Sequence, residues 1–118
     1  MTSASGRLSL TLHVLDTARG YAAAGLTFTL SRIAGPDLRV VLAEDTTDVT
    51  GRWALDAAVP LVPGIHEFIF AAEVYQARFG TPGFYDVIAI RFRLAQDHGH
   101  THIPLILSPF GYSTYRGG

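Results

Sequence analysis

Apolar and polar residues alternate with a period of two along most of the chain, the pattern of strands with one face buried. In RLSLTLHVLD, Leu8, Leu10, Leu12 and Val14 alternate with Ser9, Thr11 and His13. In GLTFTLSRI, Leu26, Phe28 and Leu30 face one way while Thr27, Thr29 and Ser31 face the other. Between the two, DTARGYAAAG has the glycine content of a hairpin loop. Further strands are expected at RVVLAEDT, at the short RWAL after a turn at Thr50-Gly51, at HEFIFAAEV, at FYDVIAIRFRL, at HIPLILS and at YSTYRG. The segment AEVYQARFG is the one helical candidate, a turn or two closed by Gly80. Pro104 has no N–H to give a ladder, which predicts an edge position or a break near the start of its strand. Eight short strands separated by turns predict an all-β fold, a sandwich of two sheets with one short helix.

Size and composition narrow this further. A chain of 118 residues is expected to form a single domain spanning 1–118 that buries roughly two thirds of its unfolded surface. Hydrophobic residues make up 48% and charged residues 16%, so the surface is poor in charge and self-association is expected. A net charge of −1 without a Lys/Arg run offers no field for nucleic acid or for anionic lipid. No cysteine is present, which excludes disulfides and thiolate metal sites and accords with a reducing compartment. The opening MTSASGR lacks the basic and apolar blocks of an export signal, and no apolar run is long enough to span a bilayer. A soluble, cytoplasmic protein is the expectation.

Candidate chemistry is scattered. His13 lies on the polar face of the first strand, in line with Thr11 and Ser9, and Arg52 projects from a strand start just after Gly51. DHGHTH spaces His98, His100 and His102 two apart, which in an extended chain puts all three on one face. Imidazoles so arranged suit zinc or copper. His98 and His100 flank Gly99 in loop-like sequence, however, with no acidic partners evident, so no metal is expected. His66 and Glu67 read as solvated residues at a strand start, and Asp16 and Asp97 as surface carboxylates at turns.

The segments LHVLDTARGYAAAG near the start, TTDVTGRW in the middle and HIPLILSPFGYSTYRGG at the end of the chain together resemble the transthyretin-like 5-hydroxyisourate hydrolases of purine degradation. The resemblance spans nearly the whole chain. It implies a transthyretin-like sandwich of two four-stranded sheets, assembled as a homotetramer (a dimer of dimers) with a central channel lined by the final strand. It implies catalytic roles for His13, Arg52 and His102, and substrate contacts from Tyr115, Arg116, Gly117 and Gly118. The substrate would be 5-hydroxyisourate, hydrolysed without cofactor. Gly118 departs from the family pattern, which ends in serine, and Ala22 and Asp86 stand where proline is often found. The alternative on this fold is a transthyretin-type carrier of a small ligand, a branch that lacks the histidines and the Tyr-Arg-Gly terminus.

Overall fold

The computed structural model describes residues 7–118; the opening segment read for an export signal lies almost wholly outside them. The elements in order are β1 (Ser9–Asp16), β2 (Tyr21–Ala22), β3 (Thr27–Gly35), β4 (Leu38–Thr46), β5 (Arg52–Ala54), β6 (Gly64–Phe70), α1 (Ala72–Ala77), β7 (Ile88–Leu94), β8 (His100–Ser108) and β9 (Gly111–Thr114). They form two sheets. In the first, β1 pairs in parallel with β8, β9 continues beyond β8, and the far side of β1 is shared end to end by β2 and β5. The sheet is therefore four positions wide, with one position split between two short strands. The second sheet has the order β4-β3-β6-β7, all antiparallel.

The alternation sets which residues form the core. The β1–β8 register places Leu12 beside Ile103 and Val14 beside Leu105, all buried, and the opposing sheet contributes Phe28, Leu30, Phe68, Phe70 and Ile88. Each such side chain stabilises the fold by about 1.5–3 kcal/mol. A slip of β8 by one residue would turn this set outward and the histidines inward, so the register is strongly specified.

Several local expectations are corrected. HEFIFAAEV is divided: the strand stops at Phe70 and the helix begins at Ala72. The helix carries Tyr75 over the end of β1, where its hydroxyl donates to Asp16 Oδ2 at 2.8 Å. Asp16 is consequently buried and not a surface carboxylate; it also accepts the N–H groups of Ala18 and Arg19. The Phe84–Val87 part of FYDVIAIRFRL stays outside β7 because its backbone is engaged elsewhere, Phe84 N–H by Pro109 and Asp86 C=O by Glu73. Pro104 sits inside β8, flanked by β1 and β9, instead of at an edge. Its missing N–H is on the side where His102 C=O accepts from Gly117, opposite Tyr115 and Arg116, where the β9 ladder is interrupted. YSTYRG thus ends as a strand at Thr114.

His66 and Glu67 are buried, not solvated. His66 points into the sandwich, stacks on Phe92, donates Nδ1–H to Gly64 C=O and has no partner for Nε2 among the described residues. Burial holds its pKa below the ordinary histidine value, so the ring is neutral. Glu67 lies on the opposite face between two guanidiniums, Arg39 at 2.9 Å and Arg91 at 3.1 Å. Burial alone would raise its pKa, but the hydrogen bonds and charges of the two arginines together outweigh this and hold it below the ordinary value of 4.5. A carboxyl whose folded pKa is depressed contributes stability that is complete above the unfolded value and is lost as pH falls through the folded one. Glu67→Gln should therefore cost about 1–3 kcal/mol near neutral pH, the lower end reflecting the half-exposed arginines. The gap to the parent protein should close as pH falls below 4.5. Urea denaturation at neutral and acidic pH measures both; a gap independent of pH would exclude the ion-pair origin.

Candidate active site

The outward face of the first sheet gathers the candidate residues. Because β1 and β8 run in parallel, their outward positions form rows: Ser9 beside His100, Thr11 beside His102, His13 beside Pro104. On the other flank of β1, β5 places Arg52 opposite His13 and Ala54 opposite Thr11. His13 and Arg52 are thus direct cross-strand neighbours, with His102 one row along. The expectation that distant segments bring these three together holds within one chain.

The 48–52 turn fixes where Arg52 emerges. Asp48 Oδ1 accepts the Thr50 hydroxyl at 2.6 Å, the Thr50 N–H at 2.8 Å and the Arg52 N–H at 3.0 Å. Its pKa is lowered, first by the Thr50 hydroxyl and then by the backbone donors of Arg52 and Thr50. Gly51 has φ +74, and a Cβ there would lie 2.5 Å from Val14 O and 2.9 Å from Ala22 Cβ, so only glycine lets the turn close against β1. Gly51 C=O in turn accepts the Val14 N–H at 2.8 Å. On the other side of Arg52, Trp53 packs edge-on against Phe28 and donates Nε1–H to Asp45 at 2.9 Å. Arg52 itself is exposed and forms no ion pair among the described residues. Its guanidinium borders a cleft of about 360 Å³ also lined by Thr11, Asp48, Trp53, Ala54 and His102.

The two histidines have different surroundings. His13 Nε2 lies 3.1 Å from Thr50 C=O. A carbonyl only accepts, so this nitrogen carries a hydrogen and the ring is bound to the turn. His102 is half-buried, with Nδ1 2.7 Å from Thr11 Oγ1. Its pKa lies below the ordinary histidine value, first through burial and then through charge repulsion with His13, His100 and Arg52. At neutral pH the cleft therefore presents a neutral imidazole beside a permanent cation.

The tail is divided between two places. Gly117 N–H donates to His102 C=O at 2.7 Å, and a Cβ on Gly117 would stand 2.9 Å from His102 Cδ2. Tyr115 and Arg116 instead line a second pocket of about 220 Å³ with Ile90, Phe92, Ile103 and Thr114, and Gly118 is exposed. Within one chain, Gly117 is the tail residue that touches His102. Gly117→Ala should push the imidazole out of place and, in the hydrolase reading proposed below, lower kcat about tenfold or more, since small misplacements of a reacting group are costly. Thermal melting should hardly change; parental kcat would show that the tail does not position His102.

The row of three histidines expected from DHGHTH does not form. His98 lies in a 3-10 turn, Gln96–His98, and its Nδ1 accepts the Ala95 N–H at 3.0 Å. His100 opens β8 and joins the face through Thr11 and Ser9. Sequence reasoning did not assign Thr11, His100 or Asp48 to the site. The available signal was the spacing of Thr11 two before His13 and of His100 two before His102, which on strands means a shared face.

A two-sheet sandwich with a neutral imidazole and an unpaired guanidinium on one outward cleft defines a β-sandwich protein equipped for water activation and oxyanion binding. Residues 10–117 match the HIUase/Transthyretin family, and the chain belongs to that family. It is 42% identical to 5-hydroxyisourate hydrolase of Deinococcus radiodurans over 96% of this chain and 98% of that protein. Among solved structures it is similar to Klebsiella pneumoniae 5-hydroxyisourate hydrolase (TM-score 0.78, 32% identity, 93% of each chain). It is also similar to (S)-allantoin synthase (TM-score 0.82, 34% identity), covering 96% of this chain and spanning 44% of that one.

Proposed function

We propose that this protein hydrolyses 5-hydroxyisourate to 2-oxo-4-hydroxy-4-carboxy-5-ureidoimidazoline, opening a ring amide with water. The observation that carries the reading is the neutral His102 imidazole held on one face with His13 and Arg52, in a chain so similar to a 5-hydroxyisourate hydrolase along its length.

In this reading His102 Nε2 accepts a proton from water as the oxygen attacks the ring carbonyl. A neutral imidazole is a suitable base near neutral pH, where water alone is a poor nucleophile. The C–O bond forms, the carbonyl electrons move onto oxygen, and the Arg52 guanidinium stabilises that developing charge without losing its own. Collapse breaks the C–N bond, and the leaving nitrogen takes the proton that His102 Nε2 received from the water. His13, bound to Thr50 C=O through Nε2, keeps the turn that carries Arg52 aligned with the cleft. Tyr115, Arg116, Gly117 and Gly118 are assigned to substrate binding. Tyr115 and Arg116 border the second pocket of their own chain, so their contribution fits a cleft completed by a neighbouring subunit. A homotetramer built as a dimer of dimers goes with this reading; among the described residues β7 and β9 end their respective sheets with an unpaired edge. Sedimentation at the mass of a single chain would exclude the assembly. A cytoplasmic location also belongs to the reading, and cell fractionation checks it.

The activity is tested by generating 5-hydroxyisourate in situ from urate with urate oxidase and following its ultraviolet absorbance. Acceleration over spontaneous decay is expected; unaltered decay at micromolar protein would end the hydrolase reading. The carrier alternative predicts the opposite pair of results, no acceleration together with saturable binding of an apolar ligand.

A further inference from the structure

Beside the cleft, four side chains form a continuous hydrogen-bonded chain that the proposed chemistry does not use. Thr11 Oγ1 is 2.7 Å from His102 Nδ1 and 3.1 Å from His100 Nε2, and His100 Nδ1 is 2.7 Å from Ser9 Oγ. The chain begins at the half-buried His102 and ends at His100 and Ser9, both exposed. It arises from the register: Ser9 pairs with His100 and Thr11 with His102, so the four side chains stand on one face of two adjacent strands. A hydroxyl has one hydrogen to donate, which couples the donors along the chain. If His102 Nδ1–H donates to Thr11, the Thr11 hydroxyl donates to His100 Nε2 and His100 Nδ1–H donates to Ser9. In the reverse order Ser9 donates to His100 Nδ1, His100 Nε2–H to Thr11 and the Thr11 hydroxyl to His102 Nδ1.

We propose that Thr11 and His100 are positioning residues for His102: Thr11 holds the ring and sets its tautomer, and His100 carries the His102 Nδ1 proton to solvent through Ser9. The proposal rests on the hydrolase reading for its kinetic consequence, but the chain itself is a property of the fold. In the first order His102 Nε2 is bare and faces the cleft as a base. When it gains the proton of the attacking water, the Nδ1 proton passes to Thr11 oxygen, the Thr11 proton to His100 Nε2, and the His100 Nδ1 proton to Ser9 and water. His102 is then neutral again with hydrogen on Nε2, a donor for the leaving nitrogen. Donation there runs the chain in reverse and restores the first order. No imidazolium persists beside Arg52, whose permanent charge disfavours one, with Asp48 the acidic group lining the cleft.

Thr11→Val keeps the branched shape that suits a strand and removes the hydroxyl. Its kcat is expected to fall about ten- to a hundredfold with KM within about twofold, because orientation and proton transfer are lost while the binding groups remain. Thr11→Ser should restore most of the rate, and His100→Asn should lower kcat without changing KM. In long-range ¹H–¹⁵N spectra the His102 Nδ1 resonance should move in Thr11→Val and stay near its parental position in Thr11→Ser. Parental kcat in Thr11→Val, failure of Thr11→Ser to restore it, a His100→Asn enzyme with unchanged kcat, or an unmoved Nδ1 resonance would each overturn the proposal. If the parent protein proves inactive on 5-hydroxyisourate, the hydrolase reading fails by itself, and the resonance comparison still decides whether Thr11 governs the His102 tautomer.

Discussion

His102→Asn is expected to fold and assemble like the parent protein while its kcat falls about a hundredfold or more, the usual cost of losing a positioned proton-transfer group. The two halves of this result have separate causes. Folding should survive because His102 contributes to the sheet mainly through its backbone: it pairs with Thr11 in β1, and its carbonyl accepts from Gly117. Its side chain lies on the outward face and is no part of the hydrophobic core. An asparagine amide can still reach the Thr11 hydroxyl. Catalysis should not survive, since an amide cannot take a proton at any relevant pH, and no other imidazole occupies that position in the cleft. His13 is directed to Thr50 C=O, and His100 lies beyond Thr11. The parent's kcat should also rise with pH through the lowered His102 pKa. As its neutral form is the base, the acidic limb should lie below the value for an ordinary histidine. Stopped-flow decay of 5-hydroxyisourate with matched melting curves measures both halves; retained kcat in a folded variant would remove His102 from the mechanism.

What the sequence disclosed and what it concealed follow from the range over which each feature is determined. Strand identity is local. Leu8 to Val14 alternate visibly, and the burial of Leu10, Leu12 and Val14 follows once one face is covered. The turn at Gly51 was also legible, since a glycine before a strand start marks a positive φ, and the structure has it at +74. Partners across the ladder are not local. Asp16, His66 and Glu67 looked like solvent-facing polar residues because the side chains that pair with or cover them, Tyr75, Phe92, Arg39 and Arg91, lie far away in sequence, the ion pairs and the Tyr75 hydrogen bond spanning 24 residues or more. Pro104 misled for a similar reason: its missing donor costs a strand only if a neighbour requires it there, and the ladder from β9 has already stopped. The same limit hid Thr11 and His100. Each has an ordinary place on a polar strand face, and only the parallel register of β1 against β8 makes them neighbours of His102.

Arg52→Ala should lower kcat by about a hundred- to a thousandfold, the range found when one oxyanion donor is removed. Stability should stay near the parental value, as the guanidinium is exposed and forms no ion pair among the described residues, and Gly51 and Trp53 hold the strand without it. Arg52→Lys should recover only a part of the loss, since an ammonium keeps the charge but not the planar, paired donors. A second consequence separates this arginine from a residue that merely lines the cleft. Its charge is one of those that hold the His102 pKa down, so its removal lets His102 protonate more readily. The acidic limb of the pH–rate curve should then move to higher pH in Arg52→Ala and stay close to the parental position in Arg52→Lys, where a charge remains. A large loss of kcat with an unmoved limb in the alanine variant would mean that Arg52 touches the reacting oxygen but not the electrostatics of the base. A moved limb with full kcat at its optimum would mean the reverse, and the oxyanion role would then have to pass to backbone donors. Only loss and displacement together identify Arg52 as the group that both receives the negative charge formed in the reaction and keeps the neighbouring imidazole free to start it.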